Sequence, residues 1–529
     1  MRMGGSFGVA LVLCAIFLVH PVQTEVVASL VGRSDLLATL LALLALDMSL
    51  AGSVPAPALG PALFLVFSLS LLAKESTVGL FVILPACWAA RAFWQGERST
   101  SEILRRAALL AIPLGLAIVG NLVLRQAVLG DLLVTDTAKI DEGASGFFAS
   151  RWRALAFVSL YFQKLVWPHP LLPDYLTGVV PRQGPGLHLR AVTSLLLLSI
   201  SLAWPVRTLR RSRRLSRAQL GVLLFWIAVA PVSNLVLPIG TPFGERLLYF
   251  PMIFLLLASL DLPLWRPVGR GQWGKVPRFW PAWLLLIAAL GLASARRIPE
   301  WRDNRRLFRA AVRDCPGNYY SQVTWGSLLL HEGRPEDRER ARRAFLAATR
   351  ASPDESAAWT ALGRMAIAEG DLEAAREFLE KAHERAEEDE LEIATLNLAR
   401  TYRALGAFAQ FESLLVPAAQ AHPEALLLQR ELGGYWLERG RDREALRIFE
   451  GALANAPRDK ALWRQVIRLL LRTGQEQKAR ERLEASPPGT LNYPFRLQLE
   501  REGFVLPGAP GLSAPDRLDR GSDEVFDSL

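Results

Sequence analysis

Residues 5–50 read GSFGVALVLCAIFLV, then HPVQTEVVASLVGRSD from His20 to Asp35, then LLATLLALLALDMSL. Two apolar runs flank a strip that holds a His, a Glu, an Arg and an Asp within sixteen residues. Apolar runs of this kind belong in lipid, and charges beside a lipid core are expensive unless they serve a purpose. Read this way, the stretch is a membrane helix, a polar turn and a second membrane helix. The first run is short and carries Arg2 ahead of it. No small-residue cleavage site follows, so it reads as a retained helix rather than a signal peptide.

The pattern continues. Candidate spans fall at about 6–19, 34–51, 56–74, 77–93, 105–124, 190–206, 218–238, 246–263 and 279–295. Beyond about residue 318 the chain becomes charged and helix-friendly. The 529 residues, 51% of them hydrophobic, therefore divide into a membrane half and a water-facing half. The expected fold is all-α: a polytopic helical membrane domain over 1–298, with nine or ten spans, a linker helix over 299–321, helical repeats over 322–493 and a tail over 494–529. The tail is Pro/Gly-containing from 505 and acidic toward its end, which reads as disorder.

Basic connections at 91–106, 207–217 and 264–278 carry the arginines that keep a loop cytoplasmic. All three stay inside if 152–167 does not cross, and Trp152, Tyr161 and Trp167 suit that segment to an interfacial or re-entrant helix. This orientation collects the strip from His20, the Lys74-Glu75 pair, the 125–189 loop, the Gly240–Arg246 stretch and the repeats on one outer face. The net charge of +10 resides largely in such loops, so nucleic acid is not an expected partner. Cys14, Cys87 and Cys315 show neither metal spacing nor a disulfide framework. Nucleotide-binding P-loops, nucleophile elbows and zincin motifs are absent.

The second half repeats with a period of 34 residues. One unit begins at Gln322, with Trp325, Leu328, Phe345, Ala348 and Pro353. The next begins at Ser356, with Trp359, Gly363, Gly370, Ala375 and Leu379. Others begin at Glu392, Leu426 and Lys460. Small residues at the eighth and twentieth positions let two antiparallel helices approach, which is the tetratricopeptide pattern. Its aromatic and Leu positions pack, and its concave surface is where a peptide or protein partner is expected.

Glu25 and Asp35 are the candidate catalytic carboxylates, because a carboxylate at a lipid–water boundary can serve as a base. Their structural alternatives are pairing of Glu25 with Arg33 and a helix-start role for Asp35. His20 is a candidate ligand or proton carrier, Lys74-Glu75 a candidate ion pair, and Asp174-Tyr175 follows a Pro-broken stretch. Arg246 either grips an anionic phosphate or pairs with Glu245. These ten residues form the candidate site, with no metal ligand set among them.

Four of these segments, in order, resemble the transmembrane and tetratricopeptide-repeat O-mannosyltransferase family: His20–Leu37, Leu71–Glu75, Leu165–Tyr175 and Gly244–Tyr249. The resemblance implies a multi-span glycosyltransferase that takes a sugar, mannose first, from a polyprenyl-phosphate donor. The sugar would pass to Ser or Thr hydroxyls of a protein on the periplasmic or lumenal face, with the repeats presenting the acceptor. The donor is the only cofactor-like molecule implied, and a divalent metal is left open. Gln23 stands where the family has a second His. The family also carries an earlier span and an acidic first outer loop before the strip, so the chain is expected to start late, by a misassigned start or as a shortened form. The alternative is a catalytically inactive membrane-anchored scaffold or an accessory subunit. Arg- and Ala-rich usage, with no N-glycosylation acceptor, points to a bacterial inner membrane, the endoplasmic reticulum being the other setting.

Overall fold

The computed structural model describes residues 7–51, 54–96, 99–130, 147–175, 179–181, 184–212, 215–236, 238–239, 241–265, 267–268, 276–277 and 280–501. It divides into two compact units, Met1–Pro353 and Asp354–Leu529. Both are helical. The exception among the described residues is one two-residue pairing, Pro267↔Pro277 and Val268↔Val276. The 505–529 tail and the arginines at 98, 213, 214, 266, 270 and 278 lie outside the described residues.

The first unit opens with α1 (Phe7–Val19), a 3-10 turn at Pro21–Gln23, α2 (Thr24–Ala28) and α3 (Gly32–Ala51). It continues through α4 (Ala56–Ala73), α5 (Leu80–Trp94), α6 (Thr100–Leu129), α7 (Phe147–Val166), α8 (Pro185–Ser212), α9 (Arg217–Val229), α10 (Tyr249–Ser259) and α11 (Trp280–Arg297). Five helices are long and apolar enough to cross a lipid core: Gly32–Ala51, Glu75–Trp94, Thr100–Leu129, Pro185–Arg211 and Trp280–Arg302. The pair Phe7–Val19 and Pro21–Ala28, bent by 53°, makes a sixth if it is one broken span. The chain is thus a multi-pass membrane protein. Pro57–Ala73 and Arg217–Val232 are shorter apolar helices. α7 is helical as read, but Arg151, Arg153 and Lys164 set it apart from the apolar spans.

Exposed Leu37, Leu40, Leu43 and Leu44 on α3, and Leu284 and Leu285 on α11, are side chains suited to lipid. The inner faces build one core around Phe67, Ile83, Tyr161, Phe225 and Phe254. Close approach is bought with glycine at two places. A Cβ on Gly32 would lie 2.2 Å from the Val26 carbonyl oxygen, so the turn from α2 into α3 requires its absence. A Cβ on Gly221 would lie 2.5 Å from the backbone of Phe254 and Ala258, which lets α9 and α10 touch.

The unit ends with α12 (Asn304–Asp314), α13 (Tyr319–His331) and α14 (Pro335–Ala351). The first repeat is therefore a hairpin within the membrane unit, and its helix begins at Tyr319 rather than Gln322. The reason is steric: Gly326, eighth from Tyr319, is the residue whose missing side chain admits Phe345, 2.7 Å from an added Cβ. The longer α14 absorbs the offset that hid this register.

The second unit stacks α15 (Ser356–Glu369), α16 (Leu372–Arg385), α17 (Glu388–Ala404), α18 (Phe408–Ala421), α19 (Leu426–Glu438), α20 (Asp442–Asn455), α21 (Lys460–Arg472), α22 (Glu476–Ala485) and α23 (Tyr493–Arg501). Gly363 admits Leu379, and Gly433 admits Phe449, as the eighth-position rule requires. Gly370, Gly406, Gly440 and Gly474 all have positive φ and end the first helix of their pairs. The tetratricopeptide reading of this half thus describes its observed architecture.

Candidate functional site

Three breaks in helices build the site. The first lies between α1 and α3. His20 caps the 3-10 turn, its Nδ1 accepting from Val22 N at 3.3 Å, while its Nε2 lies 3.1 Å from Leu165 O. Both ring nitrogens are engaged, so His20 fixes the turn. Glu25, on α2, is buried, and Asp35 sits buried in the first turn of α3, where the helix N-terminus favours a carboxylate. Arg33 is exposed and pairs with none of the described residues.

The second break separates α4 from α5. Lys74 is extended, at φ −163°, between α4 and the 3-10 turn Glu75–Gly79. Ser70 holds the corner: its hydroxyl donates to Ala38 O at 2.9 Å and lies 2.9 Å from Thr77 Oγ1. That places Lys74 Nζ 3.8 Å from Asp35 Oδ2. Glu75 turns the other way, accepting from Arg125 of α6 at 2.7 Å. Lys74 and Glu75 are therefore not an ion pair with each other. Each has a partner on another helix.

The third break precedes α10. Arg246 donates to both oxygens of Glu25, from its backbone N at 3.0 Å and from its guanidinium at 2.9 Å. The alternatives of Glu25 with Arg33 and of Arg246 with Glu245 are both set aside by this geometry. Glu245 is fully buried and is gripped by Arg297 at 2.9 and 3.2 Å. It also accepts from Tyr175 Oη and from Leu172 N, both at 2.7 Å. Burial pushes the Glu245 carboxyl up to about 7, with the Arg297 guanidinium as the main opposing influence. Burial beside that carboxylate holds the Tyr175 hydroxyl well above its ordinary range, so it stays a donor. Asp174 contributes its carbonyl, which accepts from Asn318 at 3.0 Å.

Seven of the ten residues read from sequence fall into two groups, and His20, Arg33 and Asp174 lie outside both. Lys74, Glu75 and Arg246 border an open cleft, Asp35 lines a small recess beside it, and Glu25 lies behind Arg246. Tyr175 and Glu245 form a closed support around Arg297. Sequence reading missed Arg297, Arg125 and Lys164. Lys164 is buried on α7 and donates to Pro170 O. The available signal was a cation inside or at the end of an apolar run, which marks a buried partner.

The cleft has a volume of about 370 Å³. Its polar side presents Lys74, Arg125, Arg246, Ser76, Asn121 and Thr241; its apolar side includes Leu71, Ile118, Leu122 and Ile239. A recess of about 10 Å³ lined by Asp35, Thr39 and Tyr249 shares Ser76, Arg246 and Leu247 with it. Three buried polar atoms at this place lack a hydrogen bond: the Nε atoms of Arg125 and Arg246, and Asp35 Oδ2. Two unmatched donors and one unmatched acceptor beside an amphipathic cleft suit an anionic ligand with an apolar body and a hydroxyl neighbour. No group of three or more His, Cys, Asp or Glu fit to hold a metal ion occurs among the described residues.

No family model matches the chain. A protein O-mannosyl-transferase of Caenorhabditis elegans, F38B6.6, is 27% identical over 63% of this chain and 45% of its own length. The mouse protein O-mannosyl-transferase TMTC3 is 26% identical over 67% and 40%, and Drosophila melanogaster Tmtc3 is 29% identical over 67% and 42%. The chain spans less than half the length of these curated relatives. Among solved structures, YrrB, a TPR protein, aligns over 37% of this chain and 97% of its own at 16% identity and a TM-score of 0.30. The pilus biogenesis factor PilW aligns over 41% and 96% at 15% identity and a TM-score of 0.32. By its sequence relatives the chain is similar to the TMTC protein O-mannosyl-transferases.

Proposed function

We propose that this TMTC-like chain transfers a sugar, mannose first, from a polyprenyl-phosphate donor to Ser or Thr hydroxyls of proteins at the outer, periplasmic face of a bacterial inner membrane. The observation that supports the reading is the unmatched Arg125 and Arg246 donors at one amphipathic cleft, with the unmatched Asp35 oxygen in the recess that adjoins it. Leu71, Ile118 and Leu122 would lie along the polyprenyl chain. Lys74, Arg125 and Arg246 would hold its phosphate, Arg by directed N–H donors and Lys as a point charge.

The acceptor hydroxyl oxygen would attack the anomeric carbon as the bond from that carbon to the phosphate oxygen breaks. The phosphate leaves with the bonding electrons, and the cations stabilise the charge it gains. The hydroxyl proton passes to Asp35 Oδ2, and because one direct displacement makes the new bond, the sugar carbon is inverted. Glu25 has no free oxygen for that task and serves instead to position Arg246. The Glu245–Arg297–Tyr175 cluster fixes the loop that carries Arg246. The repeats would present the acceptor segment, as a tetratricopeptide surface presents a peptide.

The test uses the full chain in membranes, a labelled mannosyl polyprenyl phosphate and a Ser/Thr peptide. Label should pass to the peptide in the wild type and be lost in Asp35→Asn with donor binding kept. Absence of transfer by the wild type, or full transfer by Asp35→Asn, overturns the assignment.

A further inference from the structure

A second cationic feature follows the last span directly. Residues 296–314 hold seven arginines against three acids. Two are paired with little or no exposure: Arg297 is buried on Glu245, and Arg305 is half-buried on Glu332 and Asp337; Arg306 pairs at the surface with Asp303, and Arg313 with Glu300 and Asp314. The other five, Arg296, Arg302, Arg306, Arg309 and Arg313, are exposed.

Their placement is narrow. The span runs unbroken through a 3-10 turn to Arg302, and α12 starts two residues later. α12 is sharply two-faced, burying Leu307, Phe308, Ala310 and Ala311 and leaving Arg306, Arg309 and Arg313 outside. A concavity of about 450 Å³ lies between the turn and the helix, lined by Pro299, Glu300, Arg306, Arg309, Ala310 and Arg313. Glu300 is already matched, accepting from Arg313 at 3.2 Å and lying 3.8 Å from Arg297. Trp301, at the same level, is half-buried with an unpaired indole N–H, as suits a ring at a headgroup boundary.

On the orientation expected from the other loops, these arginines fall on the outer face, against the charge rule that orients those loops. A cluster held there despite that rule needs an anion to meet. We propose that the Arg302–Arg313 face binds the phosphate headgroups of anionic bilayer phospholipids and so seats α12 on the membrane surface. Its immediate sequence to a span puts these charges within a Debye length of the headgroups, where each cation adds separately to binding. An acidic protein would have to displace those headgroups first. This inference stands apart from the transfer reaction, since none of these residues borders the Lys74–Arg246 cleft or the Asp35 recess.

The test is native mass spectrometry of the full chain in detergent, titrated with phosphatidylglycerol or phosphatidylcholine. The wild type should retain phosphatidylglycerol preferentially. Arg302→Gln/Arg306→Gln/Arg309→Gln should lower that affinity roughly a hundredfold, and the triple Lys replacement should keep most of it. Should the Gln triple fail to fold, Arg309→Gln alone decides: about a fivefold loss supports the site and no loss overturns it. Equal retention of both lipids overturns the proposal. So does displacement of the lipid by millimolar inorganic phosphate, which would mark a free-anion pocket, or displacement by an acidic peptide.

Discussion

Arg246 takes both carboxylate oxygens of Glu25 across 221 residues of chain, one with its backbone N–H and one with its guanidinium. The carboxylate is buried and the guanidinium is a quarter exposed, so the pair is stiff on one side and open to a ligand on the other. Glu25→Gln keeps the shape and one weaker acceptor but removes the charge. Donor KM should rise about tenfold while kcat falls less, because a binding cation has lost its anchor. Stability should drop by about 1–2 kcal/mol, below the 3–5 of a fully buried pair because Arg246 reaches solvent. Steady-state kinetics in membranes checks this. A collapse of kcat at constant KM would return Glu25 to the chemistry.

Asp35→Asn should do the reverse. Loss of a general base lowers kcat by about 10²–10⁴-fold with little change in donor KM. The fold should survive, since Asp35 makes one long ion pair and its Oδ2 has no hydrogen bond to lose. Lys74→Gln at the same contact should instead raise KM. Equal effects of the two changes on kcat would mean that the pair acts as a structural unit.

Glu245 ties stability to pH. Its carboxyl is raised from 4.5 to about 7 by burial, so the folded protein holds this proton more tightly than the unfolded chain. The contribution is therefore complete below about 4.5, declines as pH rises, and is gone above about 7. Thermal unfolding in detergent should show a slope in that window worth at most about 3 kcal/mol. Glu245→Gln should flatten it. Arg297→Gln, which strands Glu245, should destabilise by about 3–5 kcal/mol at neutral pH. A slope that survives Glu245→Gln belongs to another group.

The repeats carry a built-in comparison. A side chain at Gly433 would come within 2.5 Å of the Phe449 ring, whereas its neighbour Gly434 has open space. Gly433→Val should cost about 1–3 kcal/mol, as overpacking does, and Gly434→Val well under half of that. Chemical denaturation of the full chain, followed at the transition of the repeat unit, separates the two. Equal costs would mean that helix propensity, not the Phe449 contact, governs both sites.

The architecture was legible because lipid and repeat packing impose rules on consecutive residues. Apolar length marked the spans, and Gly363 with Ala375 marked a helical hairpin. Where a longer element intervened the rule slipped: α14 displaced the first repeat by three residues, and Gly326 supplies its small contact. The site was legible in its members but not in its pairings. Glu25, Glu245 and Arg246 announced themselves as charges near lipid. Their partners did not, because Arg297 is 52 residues from Glu245 and Arg125 is 50 from Glu75. Pairing over such distances is decided by helix packing, which local pattern does not encode.

Arg297 binds Thr24, Leu171 and Glu245, which come from the first, middle and late parts of the membrane half, and it ends the α-helical part of the last described span. During synthesis those acceptors enter the membrane well before their donor does. That helix brings the one donor these three acceptors share, so a chain stalled before residue 297 lacks the side chain that ties them together.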